Sequence, residues 1–153
     1  MAESAQYDVI VIGAGSTGEN VADRAAKGGL SAVIVESELV GGDCSYWACM
    51  PSKALLRPMA ALRAAQRVGG AREAVTGDLD VDAVLARRDK FTSNWDDSSQ
   101  VRWVGNAHID LVRGQGKLAG ERRVGVGRWI GGSQATQARR DGPTATRLCS
   151  RTH

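Results

Sequence analysis

The chain has 153 residues, an apolar fraction of 42% and a charged fraction of 24%, which suits one folded domain of ordinary globular composition. Its net charge of +3 is uneven, because residues 1–121 carry 13 basic and 16 acidic side chains, whereas residues 122–153 carry seven arginines and one acid. The positive excess therefore lies beyond residue 121, which argues against a nucleic-acid-binding face on the rest of the chain.

The sequence gives no sign of membrane insertion or export. No apolar run approaches the roughly 18 residues that span a bilayer, and residues 1–6 contain Glu3 but no basic residue. We therefore expect no membrane interaction and a cytoplasmic location, where a close cysteine pair is more plausibly catalytic or metal-binding than structural. A zinc site is the weaker alternative, because it needs four ligands and the other candidates are only Cys149, His108 and His153.

The first predicted elements form a βαβ unit. Residues 7–12 are an apolar strand, the turn 13–18 has the pattern GxGxxG, a helix follows as far as Gly28-Gly29, and a second strand covers residues 32–35. This order is that of a dinucleotide-binding unit. The alternative is that three glycines merely punctuate a turn in an alanine- and glycine-rich chain.

Each part of this unit has a mechanical role. Gly13 allows a tight turn, Gly15 lets the backbone approach a pyrophosphate, and Gly18 lets helix and strand pack closely. The helix N-terminus offers free N–H groups and a positive dipole end to phosphates. Glu36, directly after the second strand, is placed to accept hydrogen bonds from ribose hydroxyls.

Two cysteines, Cys44 and Cys49, stand five positions apart, and Lys53 follows one helical turn later. Residues i and i+5 of a regular helix lie about 7.5 Å apart along its axis, whereas a disulfide needs Cα atoms within about 7 Å. We therefore expect Cys44 in an incoming loop or distorted first turn and Cys49 further into the helix. The positive helix end should lower a cysteine pKa there. The alternative is two incidental buried thiols.

With these motifs, residues 7–121 resemble the pyridine nucleotide–disulfide oxidoreductases, in the branch that contains dihydrolipoamide dehydrogenase, glutathione reductase and mercuric reductase. The resemblance rests on the three glycines, Glu36 and the block Gly41-Gly42-x-Cys44-x-x-x-x-Cys49-x-Pro51-Ser52-Lys53. It implies an α/β, Rossmann-like fold that binds FAD, and electron transfer between NAD(P)H and a small-molecule disulfide or dithiol. It also implies a homodimer.

The same resemblance assigns residue roles. Cys49 would lie beside the flavin and receive its electrons, Cys44 would exchange with the substrate, and Lys53 would supply a cation beside the flavin. Gly42 and Asp43 would lie near the cofactor phosphates, although the family usually has Thr where Asp43 stands and an acid there is disfavoured unless it turns away or pairs. Trp47 could line the flavin pocket, but we favour a core position.

The middle of the chain predicts two helices and a strand. Residues 54–68 have an apolar periodicity that assigns Leu55, Leu56, Met59 and others to a core, and Pro58 should kink or end that helix. Asp80 caps a second helix that runs to about Val104. Residues 109–118 read as one strand. In the family the corresponding strand re-enters the sheet, and a backbone group matching Gly116 meets the adenine, although a bulge would explain its two glycines equally well.

The pattern changes near residue 124. Residues 1–123 are predicted to form a partial FAD-binding domain, and residues 124–153 an irregular basic tail outside the family fold. The tail is interpreted as out-of-frame translation, with a genuine disordered arm as the alternative. The sequence contains no second GxGxxG for NAD(P)H and no acid/base domain, so we expect a truncated, inactive fragment that does not dimerise. A non-enzymatic flavin- or nucleotide-binding remnant and a self-standing NAD dehydrogenase are the other hypotheses.

Overall fold

The computed structural model describes residues 5–127 and 133–138, and the chain divides into two units. The first unit contains the chain up to Gly42 and again from Asp97 onward, and the second contains Asp43–Asp96. Strands and helices alternate as predicted, so the α/β fold class is confirmed. No helix in the described part of the chain is long and apolar enough to cross a membrane.

A parallel three-stranded sheet forms the centre of the first unit. Its strands are ordered β2 (Val9–Ile12), β3 (Ala32–Glu36) and β4 (Asp110–Arg113), and helix α1 (Ser16–Lys27) connects the first two. β3 is buried along its whole length because it lies between two partners and is an almost continuous apolar run. The core on this sheet is formed by small and β-branched side chains: Val11, Ala14, Ala22, Ala32, Ile34, Val40, Val104 and Ile109.

A second sheet in the same unit has the order β1 (Ala5–Tyr7), β7 (Ser133–Ala138), β6 (Arg123–Gly127) and β5 (Gln115–Leu118). The predicted single strand over residues 109–118 is wrong, since β4 and β5 belong to different sheets. The break is at Gly114, whose φ of +151° suits glycine and whose added Cβ would meet the Val126 side chain at 2.5 Å.

Two strands lie in the region predicted to be an irregular tail. β6 pairs antiparallel with β5 and with β7, and β7 pairs parallel with β1. The predicted irregularity from residue 124 onward therefore does not hold for these two strands. The rest of the predicted tail, residues 128–132 and 139–153, lies outside the described residues.

The second unit is helical. Helix α2 (Gly42–Tyr46) leads into it, α3 (Cys49–Gln66) packs against α4 (Val81–Phe91), and a short 3₁₀ turn (Arg72–Ala74) lies between them. Pro58 lies inside α3 without ending it. The predicted cap at Asp80 is confirmed, because its side chain accepts a hydrogen bond from the Ala83 amide at 3.0 Å.

The predicted single helix from Asp80 to Val104 is wrong. It breaks after Phe91, because Ser93, Asn94 and Trp95 all have positive φ angles between 52° and 57°. A separate helix, α5 (Ser98–Asn106), follows in the first unit.

Several apolar side chains assigned to a core are exposed. Leu56 is 70% exposed, and Leu55 and Met59 are each more than a third exposed. Trp47, for which a core position was favoured, is 54% exposed and packs against Trp95 with ring centroids 6.1 Å apart. The core positions predicted for Leu55, Leu56 and Met59 from helical periodicity are therefore wrong, as is the core position favoured for Trp47.

Candidate functional site

The glycine turn between β2 and α1 leaves no room for side chains on its inner side. A Cβ added to Gly18, in the first turn of α1, would collide with the carbonyl oxygen of Gly13 and lie 3.1 Å from the Val11 side chain. The close packing of helix and strand that the sequence predicted is therefore present. The outer side differs, because a Cβ added to Gly15 would find no protein atom within 4 Å. That open side lets a bound group approach the backbone at the start of α1.

Glu36 fixes this turn from the end of β3. Its side chain is buried, and its two carboxylate oxygens accept hydrogen bonds from the amides of Ala14 at 2.6 Å and Glu38 at 2.7 Å. The carboxylate thus joins the glycine turn to the chain that leaves β3. Each oxygen keeps further acceptor capacity, and the predicted contact with ribose hydroxyls stays a prediction.

The segment 37–42, called the glycine-contact loop below, brings a second glycine against the turn. The Gly41 amide donates to the Ala14 carbonyl at 2.8 Å, and a Cβ added to Gly42 would lie 2.7 Å from the Cα of Gly15. The φ angle of Gly42 is +60°, a conformation that costs other residues about 1–2 kcal/mol. Gly42 therefore touches the turn because it has no side chain.

Two residues from distant parts of the sequence hold the same loop. Asp97 accepts a hydrogen bond from the Val40 amide at 2.8 Å and from a terminal guanidinium nitrogen of Arg113 at 2.5 Å, and Arg113 also donates to the Glu38 carbonyl. Partial burial pushes the pKa of Asp97 upward, but the hydrogen bonds from Arg113 and Val40 outweigh it and hold the pKa below its ordinary value. These two residues were not predicted, because no local motif joins positions separated by 57 and 75 residues.

Gly116 lies in β5, beside the ends of two strands of the parallel sheet. A Cβ added there would lie 3.1 Å from Ile12 and 3.2 Å from Val35 side-chain atoms. The glycine therefore allows the second sheet to approach the ends of β2 and β3 closely. Its predicted backbone contact with adenine stays a prediction.

The two cysteines lie on either side of a break between helices. Cys44 lies in α2, and Cys49 is the first residue of α3. The Asp43 carbonyl accepts the amides of Trp47 at 2.8 Å and Ala48 at 2.6 Å, which closes α2, and the Ala48 carbonyl accepts the Ser52 amide as α3 begins. The prediction that Cys49 lies further into a helix, with Cys44 in the loop or distorted turn before it, is wrong, because the chain uses two helices where one was expected.

This break brings the two sulfurs together. Both residues are half-buried thiols, and the Cys44 side chain is hydrogen-bonded to Cys49. That hydrogen bond, together with burial and the charge of Cys49, raises the pKa of Cys44 above its ordinary value, although the charge of Lys53 lowers it in part. The prediction of a lowered pKa at the helix end is therefore wrong for Cys44.

Lys53 and Asp43 flank the pair in the second unit. Lys53 lies four residues after Cys49 in the same helix, as predicted, and its side chain is exposed. Asp43 lies in α2 beside Cys44 and is half-buried. Among residues 5–127 and 133–138, no group of three His, Cys, Asp or Glu side chains could hold a metal ion.

Comparison with known proteins identifies a family and relatives that match this chain. The family model for pyridine nucleotide-disulphide oxidoreductases matches residues 7–137. Dihydrolipoyl dehydrogenase 3 of Pseudomonas aeruginosa is 38% identical over 137 residues, and a soluble pyridine nucleotide transhydrogenase of Vibrio parahaemolyticus is 54% identical over 56 residues. The matches cover 87% and 36% of this chain.

A solved structure shares the fold. The Cu(II) complex of the HOCl-induced flavoprotein disulfide reductase RclA from Escherichia coli superposes with a TM-score of 0.66 at 21% identity over 87% of this chain. The chain spans only 29% of the Pseudomonas protein, 12% of the Vibrio protein and 27% of the RclA chain. Because the family model covers most of the 153 residues, the chain belongs to the pyridine nucleotide-disulphide oxidoreductase family.

Proposed function

We propose that this chain is the FAD-binding, dithiol-carrying part of a flavin-dependent disulfide oxidoreductase similar to dihydrolipoamide dehydrogenase, acting in the cytoplasm. The observation that carries the proposal is the hydrogen-bonded thiol pair Cys44 and Cys49 in a chain of this family. Two thiols in contact need only a small movement to form a disulfide.

The residues around the glycine turn fit a dinucleotide. The open side of Gly15 and the free amides at the start of α1 would hold the pyrophosphate, and Glu36 would meet the ribose hydroxyls. Gly116 would present its backbone to the adenine. When bound, FAD would supply a carrier that accepts or gives two electrons.

The chemistry of the chain itself is thiol–disulfide exchange. Oxidation of Cys44 and Cys49 forms one S–S bond and releases two electrons and two protons. In the reducing direction, the Cys44 thiolate would attack a disulfide substrate, the substrate would release one thiolate, and Cys49 would then displace the second thiolate and close the disulfide. The positive charge of Lys53 favours the Cys44 thiolate that makes the attack.

The 153-residue chain would carry out only part of a catalytic cycle. Its sequence contains no second GxGxxG, so the NAD(P)H step and acid–base catalysis would need residues outside it. Loss of general acid–base help alone typically lowers a rate about 10²–10⁴-fold. We therefore propose that the 153-residue chain binds FAD and cycles its dithiol but turns over little substrate.

Absorbance spectroscopy of the purified 153-residue chain with added FAD tests the proposal. We expect a bound-flavin spectrum and, after addition of a dithiol reductant, a long-wavelength charge-transfer band. C44S and C49S should change or abolish this reductant-dependent response, whereas C149S, which removes the third cysteine, should leave it unchanged.

Two other results of this experiment would contradict the proposed electron transfer. Bound flavin without the band in the unmodified chain supports the alternative, a flavin- or nucleotide-binding remnant without electron transfer. A chain that binds no flavin contradicts both proposals.

A further inference from the structure

We propose that Asp97 and Arg113 are positioning residues for the dinucleotide site, because they hold the glycine-contact loop so that Gly42 stays against Gly15. The inference rests on the proposed function, since the cofactor concerned is the dinucleotide. It adds to the predicted site two residues that would act on the cofactor through the loop.

The glycine-contact loop is hydrogen-bonded to the glycine turn and Glu36 on one side and to Asp97 and Arg113 on the other. On the side of the glycine turn, Glu36 accepts the Glu38 amide and the Ala14 carbonyl accepts the Gly41 amide. On the other side, Asp97 accepts the Val40 amide and Arg113 donates to the Glu38 carbonyl. Four polar backbone groups of the loop thus find their partners outside it, two on each side.

Asp97 is directed at the loop and not at its own helix. It occupies the position before α5 where an aspartate normally accepts an amide of the first helical turn, but it makes no such side-chain bond. Its side chain is 14% exposed and accepts the amide of Val40, a residue that is fully buried. Without Asp97 that buried amide would lose its acceptor.

Arg113 joins Asp97 to a second point of the loop. One terminal nitrogen of its guanidinium binds Asp97 while the other donates to the Glu38 carbonyl. A guanidinium is planar and presents several donors in a fixed fork, whereas a lysine ammonium is a single point charge on a flexible stem. Lysine at position 113 should therefore hold one of the two partners but not both.

The position of Gly42 is the consequence that matters for binding. Gly42 contacts Gly15, whose open side faces the place where a pyrophosphate would lie. A loop that loosens would move Gly42 and the start of α2, while the turn itself would keep its bond from the Gly13 amide to the Val35 carbonyl. The effect should therefore be local to the loop and larger on cofactor affinity than on overall folding.

The test uses D97A, R113M and R113K in the 153-residue chain, with D23A as the matched control. Asp23 also forms an ion pair, with Lys27 at 2.7 Å, and its side chain is 20% exposed, but both partners belong to α1. Two quantities are measured: the Kd for FAD and for ADP, and the amide hydrogen-exchange rates of Gly41 and Gly13. The Gly41 amide bonds to Ala14 and not to Asp97, so its exchange reports loop order and not the deleted bond itself.

We expect D97A to raise both Kd values about tenfold to a hundredfold, because it leaves the buried Val40 amide without its acceptor. R113M should raise both Kd values by less, because the hydrogen bonds of Arg113 are exposed to solvent. In both variants, amide exchange should accelerate by a factor similar to the rise in Kd at Gly41 and much less at Gly13. The Kd values and exchange rates of R113K should lie between those of R113M and the unmodified chain. D23A should change neither quantity. An unchanged Kd, or acceleration that is equal at Gly41 and Gly13, would overturn the proposal. If the unmodified chain binds neither FAD nor ADP, the proposed function fails. The amide exchange rates of Gly41 and Gly13 in the variants then still decide whether Asp97 and Arg113 order the loop.

Discussion

Cys44 and Cys49 lie in two different helices, and their side chains are hydrogen-bonded to each other across the break that separates α2 from α3. The hydrogen bond favours the thiol form of Cys44 and so raises its pKa. In the reduced state the pair therefore favours the Cys44 thiol, while the charge of Lys53 and a hydrogen bond from the Cys49 backbone act in the opposite direction.

Removal of Cys49 should make Cys44 more acidic. In a C149S background, C49A removes the largest cause of the raised pKa, so the thiolate of Cys44 should form at lower pH. K53M removes the cation and should shift the same titration to higher pH. Because only the thiolate reacts, the pH dependence of Cys44 alkylation by iodoacetamide, followed by mass spectrometry, measures both shifts.

A lysine elsewhere in the second unit provides the control for that series. K90M removes a positive charge from α4 that is not among the groups acting on Cys44, so its alkylation profile should match that of the parent. If C49A left the midpoint unchanged, the hydrogen bond between the thiols would not be the cause of the raised pKa.

Tyr7 should resist ionisation in the folded chain. Burial, the hydrogen bond that its hydroxyl donates to Asp110 at 2.7 Å and the charge of that carboxylate raise the pKa of Tyr7 to about 12. D110N should return the pKa toward 10, as measured by the ultraviolet absorbance of tyrosinate in a Y46F background. Because the folded pKa is the higher one, stability conferred by this bond is present below pH 10 and is lost as the pH rises through 12.

The same measurement has an internal check. Y7F should lose the late ionisation altogether, and its free energy of unfolding should fall less steeply than that of the parent between pH 10 and 12. A Tyr7 titration that does not change in D110N would contradict the assigned cause.

The dinucleotide unit could be predicted from the sequence because its signals are local. The strand, the glycine turn, α1, β3 and the position of Glu36 follow within one short segment, and each residue acts on neighbours that the pattern already specifies. The cysteine pair was found for the same reason, although the helix break that brings its thiols together was not.

The errors arose where the sequence carries no local signal. Ser93, Asn94 and Trp95 adopt positive φ without any glycine to signal it, so one predicted helix became two. Asp97 and Arg113 lie far from the loop in sequence, and their pairing depends on the strand order of the sheet. Such contacts have no spacing rule that a single sequence can reveal.

Replacement of Gly42 by alanine should disrupt the site. G42A places a side chain in the left-handed region, which costs about 1–2 kcal/mol, and puts its Cβ 2.7 Å from the Gly15 Cα. We expect a loss of at least that much unfolding free energy in urea and loss of FAD binding. G105A is the matched control, because Gly105 lies in α5 with nothing within 4 Å of an added Cβ, and alanine there should be neutral or stabilise the helix. Equal effects of the two variants would contradict the close approach of Gly42 and Gly15.

Glu36 should be needed for folding as well as for binding. Both of its oxygens accept backbone amides, so the NH₂ group of glutamine in E36Q would face either the Ala14 or the Glu38 amide and leave a buried donor without an acceptor. We expect a loss of about 1–3 kcal/mol in urea unfolding and a higher Kd for FAD. E38Q is the control, because the Glu38 side chain is exposed and the hydrogen bonds of Glu38 to Glu36 and Arg113 are made by its backbone. E38Q should therefore leave the unfolding free energy and the Kd for FAD near the parent values. If E36Q unfolded like E38Q but bound FAD weakly, Glu36 would act on the ribose alone and its tether to the glycine turn would not contribute to stability.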